Sequence, residues 1–77
     1  RLGRLQEARM AYESAVAIDA SSADAWYNLG NLYVELNRDQ KAVHAYGLAA
    51  EHSVQGDAIY RAARKRQQAV INKIRRN

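Results

Sequence analysis

Apolar residues recur along this chain at the three-to-four-residue spacing of an α-helix, in blocks separated by short polar stretches. Leu5, Ala8, Tyr12, Ala15 and Val16 share one face, which predicts a first helix over about Arg4 to Ile18. Asp19-Ala20-Ser21-Ser22 is a polar connector, and Ser21-x-x-Asp24 has capping-box spacing, so a second helix is expected from Ala23 to Leu36. Trp26, Leu29 and Tyr33 lie at i, i+3 and i+7 on it. Asn37 suits a left-handed cap and Asp39 the start of a third helix reaching about His52, with Ala42, Val43, Tyr46 and Ala49 inward. After Ser53-Val54-Gln55-Gly56, Asp57 is placed to open a fourth, whose apolar stripe is Ile59, Ala62, Ala63, Val70 and Ile74.

Gly30 stands beside the Trp26-Leu29-Tyr33 face. A glycine inside a helix costs about 1 kcal/mol against alanine, so a packing reason is expected, namely close approach of a neighbouring helix. Ala42, Tyr46 and Ala49 supply that neighbour: two small residues admit the backbone, and one ring fills the space over the glycine. The turn between the two helices is short, which predicts an antiparallel pair. Trp26, Leu29, Tyr33, Ala42, Tyr46 and Ala49 are therefore the expected central core.

An internal repeat runs through the chain. At an offset of 34 residues, Leu2/Leu36, Arg4/Arg38, Gln6/Gln40, Ala8/Ala42, Ala11/Ala45, Tyr12/Tyr46 and Ala15/Ala49 are identical pairs. Trp26-x2-Leu29-Gly30-x2-Tyr33 followed by Ala42-x3-Tyr46 resembles the tetratricopeptide repeat, a helix-turn-helix unit of 34 residues. Tyr46 stands where that family often has phenylalanine, and Val54 where it expects proline. The resemblance implies an all-α array of antiparallel helix-turn-helix repeats with about four helices. Residues 1–22 would be the second helix of a truncated repeat, 23–56 a complete repeat and 57–77 a capping helix. The chain begins at Arg1 and enters mid-repeat, which predicts a piece of something longer.

Beyond Asp57 the pattern fades, with Ala63 and Arg64 where leucine and glycine would repeat. Without the glycine notch no further helix is expected to nest there, and Arg66 falls inside the apolar stripe. Residues 1–56 carry five basic and seven acidic side chains (net −2) and residues 57–77 seven basic and one acidic (net +6), so the overall +4 hides a division. A basic amphipathic helix can serve as a solvated cap, or touch an acidic protein, nucleic acid or an anionic membrane. Tyr60 is its only aromatic residue, which argues against base stacking.

With 77 residues, 48% hydrophobic and no proline, the chain suffices for one modest core. It has no cysteine, hence no disulfide or thiolate ligand, and no long apolar run or charged-then-apolar leader. It reads as soluble, with a cytoplasmic setting slightly favoured. His44 and His52 are eight residues apart, about 12 Å along a helix, too far to share a metal. His44 reads as a surface residue and His52 as a partly buried helix end. No strand-to-helix elbow or Gly-rich phosphate loop occurs. No catalytic residue, cofactor or metal is assigned, and the enzyme class is disfavoured.

The resemblance further implies a non-catalytic protein-protein interaction scaffold that reads a partner peptide or helix on its concave face. Carried over position by position, that face is Asp24, Tyr27, Asn28, Asn31 and Glu35, with Arg61 and Lys65 from the last helix. Asn28 matches a residue that relatives use to clamp a terminal carboxylate, but the basic positions that complete such a clamp are Ala58 and Ala62 here. The alternative is architectural: a terminal cap of a longer solenoid that self-associates through the exposed face of the first helix.

Overall fold

The computed structural model describes residues 2–76, with the backbone alone at Leu2. Four α-helices follow in order: α1 (Leu2–Ile18), α2 (Ala23–Glu35), α3 (Asp39–Glu51) and α4 (Ala58–Arg76), with no strand among the described residues. α2 and α3 pack antiparallel across the tight turn. α2 also touches α1 and α4, α3 touches α4, and among the described residues α1 packs on α2 alone. The chain forms a slab of 34 × 34 × 16 Å, two helix layers thick.

Local chemistry sets the helix ends. Ser22, not Ser21, caps α2: its backbone is extended and its hydroxyl accepts from the Ala25 N–H at 3.3 Å. Ser21 is diverted by Asp19, whose carboxylate accepts from both its hydroxyl (2.6 Å) and its N–H (3.0 Å). Asp24 still lies in the first turn, where the helix dipole favours an acid. α2 ends as expected at Asn37, whose φ of 60° is left-handed. The Arg38 N–H donates to the Tyr33 carbonyl at 2.8 Å and the Asn37 N–H to that of Val34 at 3.0 Å, the paired bonds of a Schellman turn. Asp39 does not cap α3. Arg38 occupies the cap position without a side-chain bond, and the Asp39 carboxylate instead pairs with Lys73 of α4 at 3.4 Å.

The same turn is absent from α4. At the repeat offset Ile71 replaces Asn37, and a β-branched side chain strongly disfavours positive φ. The helix runs straight through to 19 residues where α2 stops at 13.

The core lies between α2, α3 and α4. Leu29, Tyr33, Ala42, Tyr46 and Ala49 are buried as expected, joined by Val16, Ala25, Ala45, Ala50, Ala63 and Val70. Trp26 is only half-buried. Its indole N–H donates to the Ala20 carbonyl at 2.8 Å, so it fastens the α1–α2 connector, and its ring meets His44 edge-on at 6.3 Å. His52 also differs from expectation, being exposed at the end of α3. On α1, Val16 is buried while Leu5, Ala8, Tyr12 and Ala15 are only half-buried.

Candidate functional site

α2 and α4 lie side by side, and their shared surface is built on the buried Tyr46 ring. The Tyr46 hydroxyl donates to Asn31 Oδ1 at 2.5 Å, and the Tyr27 ring packs on Tyr46 at 5.9 Å between centroids, tilted by 54°. Both α2 side chains are thereby fixed from below. From α4, the Arg66 guanidinium covers the Tyr27 ring with its carbon 5.7 Å from the centroid, and one of its N–H groups donates to Asn31 Oδ1 at 3.3 Å. Burial holds the Tyr46 phenol above its ordinary pKa, and the nearby Arg66 opposes that rise.

Beside this cluster is a cleft of about 390 Å³ lined by Tyr27, Ala62, Lys65, Arg66 and Ala69. Its lining holds two cations and no acid. Of the residues singled out from the sequence, Tyr27 and Lys65 line this cleft, and Asn31 stands beside it, bonded to Arg66. Asn28 is half-buried on α2, and Arg61 is exposed one turn before Lys65, neither lining the cleft. Asp24 lines a separate depression, formed with the α3–α4 connector, and Glu35 is exposed at the far end of α2, about 16 Å along the axis from Asp24.

Arg66 is the member that the sequence did not yield. Its repeat equivalent is Leu32, whereas Arg61 and Lys65 align with Tyr27 and Asn31, so transfer by register passed it over. The available signal was its place in the stripe between Ala63 and Val70. A charged group on an apolar stripe needs a partner or an exit, and Arg66 has both.

A second polar network joins α1 to α2. Tyr33 donates its hydroxyl to Glu13 at 2.6 Å, Arg9 pairs with the same carboxylate at 2.7 Å, and Lys41 Nζ stands 5.8 Å from the Tyr33 ring centroid. The Tyr33 bond holds Glu13 below the usual carboxylate range, and burial, with Glu13 itself, pushes the Tyr33 phenol up to about 12. At the repeat offset Glu13 and Tyr33 become Gly47 and Gln67. There the glycine lets the Gln67 amide reach over α3 and donate to the Val43 carbonyl at 3.1 Å; a Cβ at Gly47 would lie 2.9 Å from that amide nitrogen.

Among the described residues no helix is long and apolar enough to cross a membrane, and no group of three or more His, Cys, Asp or Glu side chains is placed to hold a metal ion.

Comparison with curated proteins and with solved structures gave no match. Two family profiles do match: one described as TPR repeat over residues 1–37, and one described as Tetratricopeptide repeat over residues 23–53. Together they span residues 1–53, the stretch that carries the 34-residue repeat, the glycine notch and the antiparallel α2–α3 pair, and the chain belongs to the tetratricopeptide-repeat family.

Proposed function

We propose that this chain is a non-catalytic protein-interaction module that holds a partner peptide or helix on the surface shared by α2 and α4. The observation that carries this reading is the cleft lined by Tyr27, Lys65 and Arg66, in which Tyr27 rests on the Tyr46 ring and Arg66 is held by Tyr27 and Asn31. Rigid side chains over a packed core lose little freedom on binding, which favours recognition. Asn31 anchors Arg66 beside the cleft, and Asp24, Asn28, Glu35 and Arg61 would be reached only by a partner that extends beyond it along α2 and α4. In this reading residues 1–22 are the second helix of a repeat, 23–56 a complete repeat and 57–77 a basic cap. Support for the cap comes from Ile71 in place of Asn37 and from Arg64 in place of the glycine notch. Selection from a random-peptide library on the immobilised chain tests the proposal. Enrichment that disappears with Tyr27→Ala plus Lys65→Ala, but survives Glu7→Ala on α1, is the expected result.

A second reading, self-association through α1, is favoured by one comparison. Ala42, Ala45, Tyr46 and Ala49 on α3 are 0–1% exposed, whereas their repeat equivalents Ala8, Tyr12 and Ala15 are half-buried and Ala11 is exposed.

A further inference from the structure

We infer that the α2–α4 cleft recognises carboxylates, through Arg66 with Lys65 beside it, and that the segment it takes is an Asp/Glu-rich stretch of a protein partner. The inference rests on the interaction reading above and names the chemistry of the partner.

Arg66 is exposed but not free to wander. Its guanidinium lies over the Tyr27 ring and spends one N–H on Asn31, and Tyr27 and Asn31 are each held by Tyr46. A guanidinium carries five N–H donors in a rigid fork, so an outward edge remains for a carboxylate. Orienting that fork in advance removes much of the ordering cost that weakens ordinary surface ion pairs. Lys65 adds a second cation on the same lining, which contains no acid to compete. The surrounding field has the same sign: residues 57–77 carry net +6, with Asp57 their single acid.

A nucleic acid fits less well. The one aromatic ring on the cleft, Tyr27, has a face covered by Arg66 and another side against Tyr46, leaving no open platform for a base. The clamp positions implied by the family resemblance are Ala58 and Ala62, so this site uses different residues of α4.

Fluorescence anisotropy with a dye-labelled, end-blocked peptide of alternating Glu and Gly tests the inference on the full chain. A Gln-Gly peptide and a short oligothymidine serve as competitors. At about 150 mM salt, where longer-range attraction is screened, the Glu peptide is expected to bind and the Gln peptide not. Arg66→Gln and Arg66→Lys should each weaken binding about fivefold or more, since lysine keeps the charge and loses the fork. Arg75→Gln with Arg76→Gln, which removes more charge outside the cleft, should change it less than about twofold. Circular dichroism establishes that each variant is folded, and if Arg66→Gln is not, the lysine variant decides. Undiminished binding by Arg66→Lys, an equal loss in the Arg75/Arg76 variant, tighter binding of oligothymidine, or no binding of the Glu peptide at about 1 mM would each overturn it. Library selection of peptides without acids would sink this inference and leave the interaction reading standing; a library that yields nothing would count against both.

Discussion

Gly30 and Tyr46 share a space that holds no further atom. A Cβ added at Gly30 would lie 2.7 Å from both Cδ1 and Cε1 of the Tyr46 ring, which is 1% exposed and tethered through Asn31. That ring cannot swing aside as an exposed side chain would. Gly30→Ala gains about 1 kcal/mol of helix propensity, yet it is expected to destabilise because the clash exceeds that gain. Gly30→Leu should cost about 1–3 kcal/mol or more. Thermal melts of the two variants check this, and an unchanged midpoint for the leucine variant would count against the family assignment as well as the packing.

The Glu13–Tyr33 bond makes the docking of α1 pH-dependent at both ends of the scale. The Tyr33 bond holds the folded Glu13 pKa below the ordinary glutamate value of 4.5, so its contribution is present above that value and is lost as pH falls through the folded pKa. Tyr33 is raised from 10.0 to about 12, so its contribution is full below pH 10 and is lost as pH rises towards 12. Tyr33→Phe should remove about 0.5–1.5 kcal/mol and let the Glu13 pKa climb. An NMR titration of the Glu13 side chain in both proteins reads the effect. An unmoved Glu13 pKa in the phenylalanine variant would show that the bond is not formed in solution.

Elements governed by neighbours in sequence were legible; those governed by competition in space were not. The four helices, the left-handed Asn37 and the buried Leu29, Tyr33, Ala42, Tyr46 and Ala49 follow from periodicity and from a small set of cap residues. The cap of α2 shifted by one residue because Asp19 claims Ser21, a rivalry that spacing alone does not express. Trp26 was expected to be fully inside, but α1 covers it incompletely and its indole serves the connector. Glu13 has no marker in the sequence, since its partner Tyr33 is 20 residues away and only the fold places it opposite. On the candidate face, Tyr27, Asn31 and Lys65 could be transferred by register. Arg66 could not, since its partners are 35 and 39 residues away and its repeat equivalent is a leucine.

The α2–α3 turn depends on a residue that tolerates positive φ. Asn37→Val puts a β-branched side chain at a φ of 60°, and a loss of about 1–2 kcal/mol is expected. Asn37→Gly should be close to neutral, because the glycine has no Cβ to strain, although it is freer when unfolded. Urea denaturation of the pair separates conformational strain from loss of the asparagine side chain. Equal losses in both variants would mean that the side chain, not the backbone angle, matters.

Self-association through α1 is the outcome expected from the same repeat arithmetic that explains the core. The alanines and tyrosine that α2 and α4 seal on α3 from two sides are covered on α1 by α2 alone among the described residues, and Met10 on the same helix is 59% exposed. A second copy offers an identical face, and a two-fold arrangement lets each α1 cover the other. If each copy contributes about 400 Å², the interface buries about 800 Å² in all, which is the range of weak, transient pairs. Association is therefore expected to be weak and concentration-dependent. Tyr12→Glu places a charge at the centre of the contact and should disperse the dimer while leaving the α2–α3–α4 core folded, because Tyr12 is only half-buried and packs on the edge of that core. Sedimentation equilibrium decides: a monomer of 8.7 kDa at about 100 μM would exclude this association, and so would a dimer that persists unchanged in the Tyr12→Glu variant.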